Sequence, residues 1–261
     1  MRKNILISIV VGIIAVLIFL IVDVLYFPIS FEKLDFVQRL AVDEINRKWD
    51  KKIVDIPLDK QDLVSDEELM NSLNFIERGF AKRIFKINPT ELGFSGPFFS
   101  KEIPDSLVKV LETEIKLGTV EVGITYLPKV VFDDFARMNN QLKEDTGREL
   151  FVESGYRSPG YQAYLFFYYF PENGYSLEEN AKWLTFPGHS EHNSLNTALD
   201  FINQDGISGE DEDQIAEDFT VLQEYKWLEN NASKYNFYLS YPEGNPYGIS
   251  FEPWHWHWEK K

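Results

Sequence analysis

The sequence predicts an α+β protein headed by an apolar helix, and three observations predict it. A charge-free apolar run of eighteen residues lies close to the N-terminus. Further on, runs with helical periodicity are interleaved irregularly with short runs of period two, the texture of an α+β chain rather than of regular βαβ units. Finally, the closing stretch FEPWHWHWEKK, residues 251–261, alternates strictly between tryptophan and histidine. Pro253 is incompatible with a helix interior there, so the alternation reads as a strand with His255 and His257 on one face and Trp254, Trp256 and Trp258 on the other.

The elements follow in order. After Arg2 and Lys3, Ile5 to Val22 carries no charge and the apolar character resumes after Asp23 through Phe27, enough to span a bilayer as a helix with a cytoplasmic N-terminus. The following VDVLYFPISF offers no small-x-small cleavage site, so an uncleaved anchor with the remainder exported is expected. The chain then divides into a transmembrane signal-anchor (1–27), a membrane-proximal stalk or accessory region (28–118) and a chemistry-bearing region (119–261). In the second, Ser65 with Asp66, Glu67 and Glu68 forms a capping box opening one helix along which Leu69, Leu73, Ile76 and Phe80 recur. INPTELGFSGPFFSKEIP reads as loop and turns, and no catalytic constellation is visible there.

In the third region PKVVFDDFARMNNQLKEDTG is an amphipathic helix with Val131, Phe135, Met138 and Leu142 on one face, ending at Gly147. ELFVESGYRSPG is a short strand running into a turn. SLEENAKWL is a capped helix from Ser176, and NTALDFIN has the period of a half-buried strand. DEDQIAEDFTVLQEYKWLENNASKYNF supplies a further helix, and FYLSYPEGNPYG a strand with turns.

Composition removes several function classes. With 26 Lys and Arg against 42 Asp and Glu, the net charge of −16 repels a phosphate backbone, so nucleic acid is not expected as a partner. Zero cysteines exclude disulfides, thiolate catalysis and Cys-ligated metals, leaving His, Asp and Glu as metal ligands. The acidic run DGISGEDEDQIAED does not match the EF-hand spacing and reads as a solvated loop. All four histidines fall in two short segments, His189 and His192 in PGHSEHNSLNTALDF and His255 and His257 at the end, with Asp200 on the strand after His192. Two imidazoles, one carboxylate and a position left to water are the make-up of a catalytic zinc centre, which also needs a carboxylate to move protons. Glu191 and Glu252 are the candidates, and without a His-Glu-x-x-His helix the pattern is not thermolysin-like.

VESGYRSPGYQAYLF, PGHSEHNSLNTALDF and YNFYLSYPEGNPYGISFEPWHWHW resemble, in order, the three signature blocks of the VanY-type D-alanyl-D-alanine carboxypeptidases. These zinc peptidases of the VanX/VanY group trim bacterial cell-wall stem peptides and share a hedgehog-like fold. The resemblance covers roughly residues 120–258 and implies a small antiparallel sheet carrying the zinc site, flanked by helices. Carried over residue by residue, it assigns Zn2+ to His192, Asp200 and His255. Glu252 becomes general base and then acid, and Arg157 a grip on the substrate or on the developing oxyanion. Gln162 and Ser190 match polar positions lining the pocket. Glu191 is left to face solvent or to orient a ligand, and His189 and His257 fall on positions that are not ligands, behind the centre or at the substrate's edge.

Two departures from the family pattern stand between the ligands: seven residues separate His192 from Asp200 where six are usual, and Asn196 replaces a glycine. Asn tolerates left-handed backbone angles and the extra residue can bulge from the loop. The resemblance implies a single-pass cell-membrane enzyme, its catalytic domain extracytoplasmic, removing the terminal D-Ala from peptidoglycan stem peptides ending in D-Ala-D-Ala. A D,D-dipeptidase, an endopeptidase of the same fold, or an inactive peptidoglycan- or protein-binding module are the alternatives. Glu252 and Arg157 speak for turnover, because a binder needs no proton shuttle.

Overall fold

In the computed structural model, residues 2–100, 104, 106–194, 197–210 and 213–261 are described. Leu195 and Asn196, on which the glycine replacement falls, lie outside these residues, as do parts of the expected 87–104 loop and of the acidic run. Helix α1 (Arg2–Tyr26) contains the apolar segment Leu6–Tyr26, of mean hydropathy 3.1, long and apolar enough to cross a membrane; a signal sequence in this place meets the same description. Its far end is not free. Val24 is buried in the core, and the Arg83 guanidinium donates to the carbonyls of Val24 and Phe27.

Three helices follow. In α2 (Phe36–Val54) the Asp35 carboxylate caps the first turn, and Val42, Ile45, Trp49 and Ile53 recur every three or four residues as one buried stripe. The single helix expected after Ser65 is two: α3 (Asp66–Ser72) and α4 (Phe75–Ile84). Asn74 starts a second capping box with Glu77, so the chain turns where hydrophobic spacing alone runs on.

A hairpin-rich passage leads to the second half: β1 (Leu107–Lys109), β2 (Ile115–Leu117), β3 (Val120–Val122) and β4 (Tyr126–Pro128), paired β1 with β4 and β2 with β3. Then come α5 (Lys129–Thr146), β5 (Leu150–Ser154), α6 (Pro159–Tyr168) and α7 (Leu177–Asn180). They are followed by β6 (Ala198–Asn203), α8 (Ala216–Thr220), α9 (Gln223–Asn231), β7 (Phe237–Leu239) and β8 (His255–Trp258). The helix expected from residue 176 is confined to the four residues of α7, and the one expected after residue 210 is broken into α8 and α9.

Strands β5, β6, β8 and β7 form, in that order, one antiparallel sheet. This is the small antiparallel sheet flanked by helices that an α+β reading requires. One face carries Val152, Leu199, Phe201, Phe237, Trp256 and Trp258 and packs against Phe135 and Met138 of α5 and Trp227 and Leu228 of α9. The indoles of Trp256 and Trp258 keep their N–H groups satisfied on Pro253 O and Asp134 Oδ2, which pins β8 at that depth. β6 is buried at every position rather than on one face, because its second face is covered too: Ile202 by a small apolar cluster, Asp200 by the site described below.

A second core joins the helical module to α6 and the segment after it. α2, α3 and α4 pack on Ala163, Phe166 and Phe167 of α6, on Phe170 two residues past its end, and on Leu177 and Phe186. Gly160 makes the approach possible: a Cβ there would lie 2.2 Å from the Val64 carbonyl oxygen.

Candidate metal centre

Antiparallel pairing places Asp200 of β6 directly opposite His255 of β8, and directly opposed residues share one face of a sheet. The third member arrives from the 3-10 turn Glu191–Asn193, started by Ser190, whose hydroxyl accepts from the His192 N–H at 3.3 Å. The bend after β5 fixes that turn: Arg157 N donates to His192 O at 3.0 Å, and the His192 ring hydrogen-bonds the Gly155 carbonyl through Nδ1 at 2.7 Å. Gly155 itself touches the Tyr126 carbonyl so closely that a Cβ would sit 2.5 Å from it.

His192, Asp200 and His255 are buried, and one ligand atom from each lies within 4.8 Å of the others. With its Nδ1 donating to a carbonyl, the His192 Nε2 carries a lone pair; it lies 3.1 Å from Asp200 Oδ2, buried and without a hydrogen-bond partner. His255 is held the other way round. Its Nε2 meets Glu191 Oε2 at 2.9 Å and its Nδ1 meets Asp200 Oδ1 at 2.8 Å. With Nε2–H donating to Glu191, a neutral His255 turns the Nδ1 lone pair on the Asp200 oxygen, an arrangement that needs a proton or a cation between the two. An orphaned imidazole nitrogen, a second imidazole nitrogen and a carboxylate converging in a buried place are the donor set of a divalent-metal site.

The electrostatics agree. Burial, helped by the Arg157 charge, lowers the His192 pKa to about 4, so this ring is neutral and able to donate its lone pair. Burial also works to lower His255, but Asp200 and Glu191 outweigh it and raise the pKa to about 10: without a metal, a proton fills the Nδ1 position. The same two histidines hold Asp200 well below the usual carboxylate range against the effect of burial. Glu252 stands beside them, Oε2 3.7 Å from His255 Nδ1, and its burial, only partly offset by His255, lifts its pKa to about 8.

His192, Asp200, Glu252 and His255 line a cleft of about 860 Å³, together with Arg157, Ser190 and Gln162. The Arg157 guanidinium comes within 3.7 Å of Asp200 Oδ2. Gln162 donates from Nε2 to Thr185 O at 2.9 Å and leaves Oε1 buried without a donor. His257 is not among the cleft-lining residues. Its Nδ1 meets Ser240 Oγ at 2.7 Å, and Ser240 in turn donates to Glu191, so a chain of hydrogen bonds runs from His257 to the ring of His255. Of the two placements open to Glu191, the structure excludes facing solvent: its carboxylate is turned onto the His255 ring. His189 lies apart, its ring edge-on to Phe94 and Phe98.

Two cleft residues went unnoticed in the sequence. Tyr241 lies with its ring 4.7 Å from that of His255, and burial, with the charges of Glu191 and Glu252, keeps its phenol protonated. Asp62 reaches the cleft from the stretch before α3. Tyr241 sits in the last signature block and could have been noted there; no local pattern marks Asp62.

The fold and this donor set define a class, helix-flanked antiparallel sheets carrying a candidate divalent-metal site. Comparison with known proteins gives the family. The model of the VanY family, described as D-alanyl-D-alanine carboxypeptidase, matches residues 124–261, and the chain belongs to that family. It is similar to a D-alanyl-D-alanine carboxypeptidase of Enterococcus faecium, 30% identical over 135 residues, and to the putative carboxypeptidase YodJ of Bacillus subtilis (strain 168), 33% identical over 136. Each match takes in 50% of this chain but only 36% and 45% of those relatives, so the chain spans less than half of their length. Among solved structures, the vancomycin-resistance D,D-pentapeptidase VanY in complex with Zn(II) is 25% identical, with a TM-score of 0.41, over 51% of this chain and 73% of that one.

Proposed function

We propose that the protein is a zinc-dependent D-alanyl-D-alanine carboxypeptidase that removes the terminal D-Ala from peptidoglycan stem peptides. In this reading residues 119–261 are the peptidase domain, and α1 anchors it to the outer side of the cytoplasmic membrane. The observation that carries the reading is the orphaned His192 Nε2 converging with Asp200 and His255 Nδ1, beside a carboxyl whose pKa lies near neutrality.

His192, Asp200 and His255 hold the metal. Zinc bound there supplies a lowered water pKa and polarisation of the scissile carbonyl. Glu252 takes a proton from the attacking water and returns one to the departing amine, a role for which a pKa raised toward the working pH is suited. The Arg157 guanidinium offers a planar pair of donors to the negative charge that develops on the carbonyl oxygen or to the substrate's own carboxylate. Ser190 and Gln162 contact substrate from the cleft wall, Gln162 with the unused acceptor Oε1. His257 steadies the centre from behind, through Ser240 and Glu191. The cleft volume fits a short peptide end.

The test is incubation of the full-length protein in detergent with a pentapeptide ending in D-Ala-D-Ala, with and without a chelator. Release of free D-alanine, abolished by the chelator and restored by zinc, is the expected result. Release of the D-Ala-D-Ala dipeptide instead would assign a dipeptidase, and no cleavage with zinc bound would assign a binding module.

A further inference from the structure

The helical module takes hold of α1 before the apolar segment is spent. Residues 6–19 are exposed at every position, whereas burial sets in at Leu20 and is complete at Asp23 and Val24. The exposed stretch is fourteen residues long, about 21 Å of helix. A bilayer presents about 30 Å of hydrocarbon, so a bilayer spanned by α1 is about 9 Å deeper than the bare part of the helix. That difference falls where the module surrounds α1. Asp23, the only charged residue between Leu6 and Tyr26, is covered there by the module, with the Arg83 guanidinium on the carbonyl next to it, and is not left to lipid.

Two helices present their first turns at this junction. α2 starts beside the end of α1, where Gln38 Nε2 donates to Pro28 O at 3.1 Å. Its outward stripe runs Phe36, Leu40, Asp43, Arg47, Lys51, apolar at the end beside α1 and charged from there on, and Phe36 is 66% exposed. On α4, Phe75, Gly79 and Arg83 recur every four residues and share one face. A Cβ on Gly79 would lie 2.6 Å from Leu25 Cδ2, and Arg83 holds the carbonyls of Val24 and Phe27, so this face lies against α1. Phe75, one turn before Gly79, is 80% exposed, whereas the exposed residue near the other end of α4 is Lys82. Tyr26 is exposed as well, and Phe27 folds back until its ring meets that of Phe19 edge-on at 5.8 Å.

Exposed apolar side chains bounded by charge mark a contact surface, and the continuity of this one with the bare apolar surface of α1 identifies what it touches as lipid. Aromatic residues gathered where hydrocarbon gives way to headgroups form the belt expected of such a contact. We propose that the face of the helical module around the end of α1, carrying Tyr26, Phe36, Leu40 and Phe75, is seated in the boundary between the acyl chains and the headgroups of the bilayer that α1 spans. The proposal rests on α1 being a membrane anchor, and it makes the module a lipid-contacting base in place of a stalk standing clear of the surface.

The chain has no cysteine, so a single introduced cysteine can carry a fluorophore at a known place. Full-length Leu17→Cys, Phe36→Cys, Phe75→Cys and Lys51→Cys, each labelled with an environment-sensitive fluorophore, are reconstituted in phosphatidylcholine vesicles with and without lipids bearing a nitroxide near the headgroup. Lys51 lies on the same stripe of α2 as Phe36, about 22 Å along the helix. Emission from positions 36 and 75 should shift to the blue relative to position 51 and be quenched by the nitroxide, while position 51 keeps the emission of a label in water and loses no intensity. Labels at 36 and 75 that match position 51 in both respects overturn the proposal. Equal quenching at all three positions overturns it too, because the contact would then not be confined to the end beside α1. Position 17 reports on the anchor itself: blue emission there with water-like emission at 36 and 75 removes the seat and leaves the anchor standing, whereas water-like emission at 17 removes both. Should Phe36→Cys not fold, Leu40→Cys is read in its place.

Discussion

The helical module of α2, α3 and α4 and the cleft face of the sheet bury side chains of opposite kinds. Among the described residues the module's core is built of Val42, Ile45, Trp49, Leu69, Phe80 and Ile84, and its buried Glu77 is paired with Lys48 at 2.7 Å. The cleft face instead buries His192, Asp200, Glu252 and His255 within reach of one another. Burying ionisable groups costs stability unless each finds a partner, whereas packing an aromatic core supplies it. The result is a division of labour: the two aromatic cores, one behind the sheet and one under α6, stabilise the fold, and the surface between them carries the candidate metal centre at a cost to it.

That division can be broken by experiment. The largest effect is expected from His255→Ala, which removes a proposed ligand: zinc content and D-alanine release should both vanish in metal analysis and peptide assay. Glu252→Gln should retain zinc while kcat falls by about 10²–10⁴, the usual share of general acid–base catalysis. An active Glu252→Gln protein would take the proton shuttle away from this residue. On the other side, Trp49→Ala removes a fully buried indole that also donates to Leu69 O at 3.1 Å. It should cost about 3–5 kcal/mol in denaturant unfolding and leave kcat/KM unchanged where the protein is still folded. Lost activity in a folded Trp49→Ala protein would blur the division.

The smallest effect concerns Asp62, where the two regions meet. Its pKa in the fold, about 6, lies above the ordinary 3.8, so its protonated form favours folding. That contribution is complete below pH 3.8 and is lost as pH rises through about 6. Metal-free wild type should therefore lose stability relative to Asp62→Asn across that window, measured as the difference in melting temperature with pH. A constant difference would show that burial does not perturb this carboxyl.

The site was legible because its residues are close in sequence pattern. The Trp-His alternation fixed which face of β8 the imidazoles take, and register did the rest by setting Asp200 opposite His255. The break between α3 and α4 was hidden because Leu69, Leu73, Ile76 and Phe80 keep helical spacing across it; only the second capping box of Asn74 and Glu77 betrays the turn. Full burial of β6 was not readable, since Asp200 looks like an outward polar residue until the cleft is known to cover it. Asp62 was invisible for a different reason: it lies far ahead of the signature blocks, and nothing in its neighbourhood announces that it lines the cleft.

The junction at the end of α1 has a mechanical consequence. Because Val24 is packed into the helical core and Arg83 closes the last carbonyls of α1, the apolar segment is a strut rather than a leash. Were α1 embedded in a membrane as proposed, the candidate metal centre would keep a set height and heading above it, and lengthening the stretch after Phe27 would change that height only if the grip of Arg83 were released as well.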